Sequence, residues 1–302
     1  MSLLLLDSAS LWYRAFYGMP DSWVAEDGTP VNAVRGFIDM TSRLITQYQP
    51  TRFVACLEGD WRPTWRVNLF PGYKANRVDA TGEEDEPDLL EPQIPIILDF
   101  LELLNIPMLG VDDYEADDII ATLSKRESGP INIVTGDRDL FQLVDDKRRV
   151  KVAYLAKGLS QHDLVDRRWI ENKYGIPGDR YALFAMIRGD ASDGLPGIKG
   201  IGEKGAAALV QHFTSMAEIV EAAKSGDERI TASHAKKLIA DEKYASIAPT
   251  LVHCALDVPI PDMSLKLPKG SQGLDRLNEI YAFRDKYNLG ANVDRLLSAL
   301  QW

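Results

Sequence analysis

Three short apolar runs along the chain each end in an acidic residue. Leu3–Leu6 runs into Asp7, Phe53–Leu57 into Glu58 with Asp60 just beyond, and Ile131–Val134 into Thr135-Gly136-Asp137. Runs this short, bounded by turn residues, predict buried parallel strands. Between them the apolar positions recur at helical spacing, so Val34–Leu44, Ile96–Leu104 and Glu115–Ser124 read as helices. Strands alternating with helices predict an α/β domain with a mainly parallel central sheet flanked by helices. In open sheets of this kind, ligands gather beyond the carboxyl ends of the strands. All three acidic endpoints fall there.

The texture then changes twice. Residues 71–92 open with Pro71-Gly72-Tyr73-Lys74 and carry Glu83-Glu84-Asp85-Glu86-Pro87, which predicts a long, partly helical surface insertion. An ordinary solvated loop is the plainer reading of its acidic part. Beyond about residue 175 the pattern becomes mostly helical. Tyr181–Ile187 and Gly205–Phe213 read as helices on either side of a Gly/Asp/Pro-rich turn, and Leu274–Tyr281 and Val293–Leu300 as two more. The chain therefore divides into an α/β core at 1–175, which contains the insertion, and a helical region at 176–302. No internal repeat is visible.

With 302 residues, 45% apolar and 26% charged, the chain can build a sizeable core. No apolar run approaches a membrane span, and the first residues lack the basic region of a signal peptide. Cys56 and Cys254 make neither a disulfide framework nor a metal-ligand spacing, which predicts a reducing, cytoplasmic setting. The net charge of −11 argues, taken alone, against a nucleic-acid partner. Carboxylates that hold cations reverse the local sign, however, so the distribution matters more than the total.

That distribution is the main chemical signal. Glu115-Ala116-Asp117-Asp118 starts a helix, where Glu115 can sit just outside the first turn and point with Asp117 or Asp118 toward one place. Asp137 and Asp139 flank Arg138 after a strand, Asp190 and Asp193 can meet on one side of a turn, and Asp7 ends the first strand. Each pair alone is explained equally by helix capping or a solvated acidic turn. Together they point to hard divalent cations, Mg²⁺ or Mn²⁺, held by oxygen. Crowded carboxylates raise one another's pKa, and cations remove that conflict. Two such ions about 4 Å apart can serve both the attacking and the leaving oxygen of an in-line phosphoryl displacement. Histidine is scarce and has no ligand spacing, which disfavours zinc.

Two further stretches need sorting. Gly200-Ile201-Gly202-Glu203-Lys204-Gly205 matches G-x-G-x-x-G, but that motif follows a strand and here a Gly/Asp/Pro-rich loop precedes it. Nor is it a P-loop, because Glu203 follows Gly202. What remains is a glycine-rich turn flanked by Lys199 and Lys204. It either offers backbone N–H groups to an anion or simply joins two helices closely. From Arg62 to Arg77 the chain has Arg62, Arg66, Lys74 and Arg77, no acid, and Trp61, Trp65, Phe70 and Tyr73 interleaved. Basic residues among aromatics suit a nucleic-acid strand. A helix with buried Trp and water-facing Arg is the alternative, most evenly matched for Arg62 and Trp65.

In this order, Asp7, Tyr73-Lys74-Ala75-Asn76-Arg77, Glu115-Ala116-Asp117-Asp118, Thr135-Gly136-Asp137-Arg138-Asp139 and Gly189-Asp190-Ala191-Ser192-Asp193, the motifs resemble those of the bacterial and phage 5′ nucleases. That family includes the 5′-nuclease domain of DNA polymerase I and the flap endonucleases. The resemblance reaches to about residue 265. No polymerase domain follows, so the chain looks like a stand-alone member.

The resemblance implies a PIN-like, resolvase-like nuclease core, a helical arch at about 71–92 and a helix–three-turn–helix element at about 181–213. It implies that Asp7, Glu115, Asp117, Asp118, Asp137, Asp139, Asp190 and Asp193 hold two or more divalent metals, directly or through water. Lys74 and Arg77 would contact the scissile phosphate and Tyr73 would stack near the substrate. Arg14 matches a basic residue beside the first metal ligand. Lys199, Gly200, Gly202 and Lys204 would grip duplex phosphates, with a potassium ion on the carbonyls of Ile198 and Ile201. The family usually has an Asp directly after the second strand. Here Glu58 holds that place, and Asp60, two residues on, is the expected ligand.

The implied function is a structure-specific 5′ nuclease with 5′-3′ exonuclease and 5′-flap endonuclease activity. Its substrates would be DNA flaps, nicks and gaps. It would act as a monomer in the bacterial cytoplasm at the nucleoid, beside a repair polymerase and a ligase. A non-catalytic DNA binder would gain nothing from carboxylates facing phosphates. A phosphatase with Asp7 as nucleophile needs an acid two residues later, where Ala9 stands. A PIN-type RNA nuclease is disfavoured by the glycine turn and the basic arch base.

Overall fold

The computed structural model describes residues 2–79, 87–270 and 273–302. Among them six strands form one sheet: β1 (Leu3–Asp7), β2 (Arg52–Cys56), β3 (Met108–Leu109), β4 (Ile131–Thr135), β5 (Val150–Tyr154) and β6 (Asp163–Val165). Their order is β3-β2-β1-β4-β5-β6, parallel throughout except for the antiparallel β5–β6 edge. The three predicted strands are β1, β2 and β4, the centre of the sheet.

Both faces of that centre are covered, which is why its strands read as unbroken apolar runs. Alternate side chains leave opposite faces of a strand. Leu3 and Leu5 accordingly enter one core with Val54 and Ile133, and Leu4 and Leu6 enter another with Phe53 and Val134. The first core is closed by helix Ala116–Arg126 and by helices of the second half, including Tyr181–Arg188, Glu203–His212, Met216–Ser225 and Glu242–Val252. The second core is closed by Ser8–Gly18, Asn32–Tyr48 and Gln93–Leu103, and by the two helices nearest the end, Leu274–Lys286 and Ala291–Leu300. Ile280, Val293, Leu296 and Leu300 are buried there with Phe37 and Phe100, and the Phe283 and Phe100 rings lie 5.4 Å apart.

The chain winds outward from β1 to β3 on one side and from β4 to β6 on the other. The winding therefore reverses between β1 and β4, and a crevice opens there beyond their carboxyl ends. Asp7 pairs with Cys56 at the last rung of β1–β2, and Leu6 with Val134 at the last rung of β1–β4. Glu58 and Asp137 follow within a few residues, so three acids leave the sheet at one edge.

Of the predicted insertion, residues 71–74 form turns, Ala75–Arg77 is a short 3-10 helix, and turns lead from Asp88 into helix Gln93–Leu103. The acidic run Glu83–Glu86 lies outside the described residues. Among the described residues no helix is long and apolar enough to cross a membrane.

Candidate active site

A cavity of about 1180 Å³ occupies the crevice, and Asp7, Glu58, Asp60, Lys74, Arg77, Glu115, Asp117 and Asp137 line it. Asp7 is both the last residue of β1 and the N-cap of helix Ser8–Gly18. Its carboxylate accepts the Ser10 N–H at 3.1 Å and the Thr135 hydroxyl at 2.6 Å. The Thr135 oxygen accepts in turn from the Asp137 N–H at 2.8 Å, which ties the ends of β1 and β4 together. Gly136 donates its N–H to the Ser10 hydroxyl at 2.6 Å, and a Cβ there would fall 2.8 Å from that oxygen, so a larger residue would have to move Ser10.

At the end of β2 the structure places Glu58 among these acids, with the expected Asp60 also on the cavity wall. Glu58 accepts the Ala116 N–H at 2.8 Å, at the positive end of helix Ala116–Arg126. Gly59 makes this possible: a Cβ there would lie 1.9 Å from the Val111 carbonyl oxygen. Asp60, though it lines the cavity, accepts the Arg62 N–H at 2.9 Å within its own turn.

Glu115 is the N-cap of Ala116–Arg126 and Asp117 and Asp118 lie in its first turn. One residue along a helix turns the side chain by about 100°. Asp117 therefore faces the cavity and Asp118 faces away. Asp118 is fully buried and is gripped by the Arg66 guanidinium at 2.7 and 2.8 Å, and it accepts the Ala255 N–H at 2.7 Å. It is a buried structural ion pair, and the expectation that it faces a metal is corrected.

The basic stretch is also used internally. Arg66 pairs with both Glu115 and Asp118 and is 2% exposed, which fits neither the water-facing nor the DNA-facing reading. Arg62 donates to the Tyr73 and Pro71 carbonyls at 2.6 and 2.9 Å. Tyr73 is buried in the first core and gives its hydroxyl to Glu115 at 2.8 Å, so its ring is not available for stacking on a substrate. Lys74 pairs with Glu115 and donates to the Trp61 carbonyl at 3.1 Å. The signal for Arg66 was present: Glu115 and Asp118 are three residues apart, a spacing that lets one guanidinium serve both.

A second group of acids adjoins the first through Asp137. Asp139 feels the charges of Asp137, Asp193 and Asp190, and its Oδ1 is buried without a hydrogen-bond partner. Asp193 pairs with Arg77 at 2.6 Å. Asp190 accepts from Ser192 and lies 3.5 and 3.8 Å from Arg188 and Arg138.

The electrostatics follow from this crowding. Burial, with Asp137 nearby and against the Thr135 and Ser10 donors, pushes Asp7 up to about 6. Burial, with Glu115 and Asp7 opposing Lys74, pushes Glu58 up to about 8. Burial and the surrounding carboxylates drive Asp117 and Asp139 well above the usual range. Burial also lifts Asp193 to about 6. Glu115 runs the other way: despite its burial, Lys74 and Arg66 hold it below the usual range.

Even with Lys74 and Arg77 beside it, such a set carries an excess of carboxylates, and its acidic groups offer oxygens, the chemistry that suits Mg²⁺ or Mn²⁺. The unpartnered Asp139 oxygen fits the same ions. Among the described residues no three His, Cys, Asp or Glu side chains form a ready metal-holding group. Several of these carboxylates are occupied by protein donors, and an ion that keeps much of its water needs only a few protein oxygens.

Arg14 lines the same cavity with its Nε buried and unpartnered. The glycine turn lies apart, at the start of helix Glu203–His212, with Lys199, Gly200, Gly202 and Lys204 exposed. Its amides are not all free, since the Lys199 N–H is given to Asp241 at 2.6 Å. Of the two carbonyls expected to hold a potassium ion, that of Ile198 already has a partner within the turn. The Ile198 carbonyl accepts the Ile201 N–H at 2.9 Å, and the Lys237 ammonium lies on the Gly200 carbonyl between them at 2.7 Å.

A resolvase-like sheet with an acid-lined switch point, followed by helices around a glycine turn, defines a class of metal-dependent nucleases. The chain belongs to the 5′-3′ exonuclease family. Residues 2–175 match its N-terminal resolvase-like domain and residues 176–271 its C-terminal SAM fold. A 5′-3′ exonuclease of Streptomyces coelicolor is 47% identical over 98% of this chain and 99% of its own length. DNA polymerase I of Mycobacterium bovis is 39% identical over 73% of this chain and 24% of its own length. The bacteriophage T5 D15 flap endonuclease, solved as a pseudo-enzyme-product complex with DNA and metal ions, superposes with a TM-score of 0.64. The two chains are covered completely but share 16% identity, so that likeness is one of fold.

Proposed function

We propose that this chain is a structure-specific 5′ nuclease that uses Mg²⁺ or Mn²⁺ to hydrolyse DNA phosphodiesters, releasing 5′ flaps and degrading 5′ ends. The observation that carries the proposal is the meeting of Asp7, Glu58, Asp117 and Asp137 around one cavity that also holds Lys74. A cluster of acids beside a buried cation has no use in a simple DNA binder. It suits a site that must hold metal ions and receive a phosphate.

Asp7, Glu58, Glu115, Asp117 and Asp137 form one proposed metal-holding group, and Asp137, Asp139, Asp190 and Asp193 the other, with Asp137 shared. When bound, the ions would supply charge neutralisation and an activated water. Lys74 and Arg77 offer positive charge to the scissile phosphate as negative charge builds on its oxygens. Arg14 adds a third cation on the cavity wall. Lys199, Lys204 and the exposed amides at Gly200 and Gly202 form the proposed grip on the duplex, at some distance from the cut. Water adds to phosphorus, the bond to the 3′ oxygen breaks, and a 5′-phosphate and a 3′-hydroxyl result.

The division at residue 175, the arch, a monomeric state, a bacterial nucleoid setting and work beside a repair polymerase and ligase belong to the same proposal. The test is cleavage of a 5′-flapped duplex with Mg²⁺ or with EDTA, scoring intact flap against mononucleotides. Asp137→Asn is expected to lose cleavage while binding the same DNA in Ca²⁺. Cleavage that persists in EDTA, or in Asp137→Asn, refutes the assignment.

A further inference from the structure

Helix Ala232–Ala240 reaches the glycine turn with two opposite charges. Lys237 Nζ donates to the Gly200 carbonyl at 2.7 Å, and Asp241, where the helix ends, accepts the Lys199 N–H at 2.6 Å. The contact with Gly200 is close. Its φ is +81°, and a Cβ there would lie 3.2 Å from Lys237 Cε. Lys237 is half-buried, and among the described residues no carboxylate pairs with it. Its charge is spent on a backbone carbonyl instead.

We propose that Lys237 is a positioning residue for duplex binding, a built-in cation that fixes the glycine turn so that its grip on phosphate needs no alkali ion. The inference rests on the reading that this turn holds duplex DNA. Carbonyls gathered in a tight turn concentrate partial negative charge, and a phosphate arriving at the same turn adds a full one. A cation at the Gly200 carbonyl offsets both. An ammonium has three donors. One of them is held by the Gly200 carbonyl, which fixes that edge of the turn. Asp241 braces the opposite side of the turn, so both the amide and the carbonyl edge are fixed before DNA arrives. A covalently attached cation also stays in place whatever the surrounding salt.

The experiment measures affinity for a 5′-flapped duplex in Ca²⁺ by fluorescence anisotropy, at one ionic strength, with K⁺ or with tetramethylammonium. The wild-type chain is expected to bind equally in both salts. Lys237→Met is expected to bind about tenfold more weakly in tetramethylammonium, the factor for one lost charge-assisted hydrogen bond, and to recover in K⁺. A K⁺ requirement in the wild-type chain overturns the proposal. So does a Lys237→Met affinity equal to wild type, or a loss equal in both salts, which a merely structural contact would give. If Lys237→Met does not fold, the wild-type comparison decides alone. A wild-type chain that binds no DNA in either salt refutes the nuclease reading itself.

Discussion

Lys74 and Glu115 form a buried ion pair on the wall of the acidic cavity. The pair holds the ammonium charged and the carboxylate ionised. Glu115 and the other acids outweigh the cost of burying Lys74 and raise its pKa, and Lys74 together with Arg66 lowers that of Glu115. The proposed phosphate-binding cation is thus stored among the proposed metal-holding acids.

Removing that charge is expected to affect the chemistry more than the binding. Lys74→Met should lower single-turnover cleavage of a 5′-flapped duplex in Mg²⁺ about a hundredfold, the usual loss for one transition-state donor. Affinity for the same DNA in Ca²⁺ should change far less. A variant that cleaves at the wild-type rate would remove Lys74 from the mechanism.

Asp117 and Asp118 are neighbours in sequence with opposite expected phenotypes. Asp118→Asn breaks a fully buried pair with Arg66 and should cost about 3–5 kcal/mol of stability. Asp117→Asn removes a carboxylate crowded by Asp137, Asp7 and Glu58, so it should raise Tm in EDTA while abolishing cleavage. Thermal unfolding of the two variants in EDTA checks this. Destabilisation by Asp117→Asn would contradict the crowding argument.

At the second strand, Glu58→Gln should weaken the Mg²⁺ response severely, while Asp60→Asn should leave it close to wild type. A Mg²⁺ titration of the cleavage rate separates them. The reverse order would restore Asp60 as the ligand of that strand.

Metal-free stability should fall as pH rises. Asp7 and Asp193 are pushed up to about 6 and Glu58 to about 8, so each holds its proton more tightly folded than unfolded. Their contribution is complete below the ordinary carboxylate values of 3.8 and 4.5 and is lost as pH climbs through 6 and then 8. Differential scanning in EDTA should record a falling Tm between about pH 5 and 8, and Mg²⁺ should reverse most of the fall. A Tm that rises over that interval counts against the acid cluster.

The centre of the fold was legible because burial on both faces leaves a plain mark: unbroken apolar runs at β1, β2 and β4. β3 is two residues long, β5 is interrupted by Lys151 and β6 is three residues long with Leu164 exposed, so they leave no such run. Helices Asn32–Tyr48 and Gln93–Leu103 differ by a few residues from the ends that periodicity predicts, because capping here depends on partners distant in sequence. The Gln93 side chain, for example, accepts the Ala33 N–H. The acids were visible as residues, but their facing was not. Whether Asp117 or Asp118 enters the cavity depends on Arg66, and the seat of Glu58 against the Ala116 N–H depends on the contact between Gly59 and Val111. Both partners lie far along the chain, beyond the reach of local pattern.

Helices Leu274–Lys286 and Ala291–Leu300 pack on the sheet face formed by the beginning of the chain, against Asn32–Tyr48 and Gln93–Leu103. A polypeptide cut after residue 175 would keep every strand yet bare the apolar flanks of Phe37 and Phe100 to water. The half that holds the sheet is therefore not expected to stand as an autonomous module. It borrows its outer wall from the far end of the molecule, and severing the two should yield aggregation rather than a smaller working enzyme.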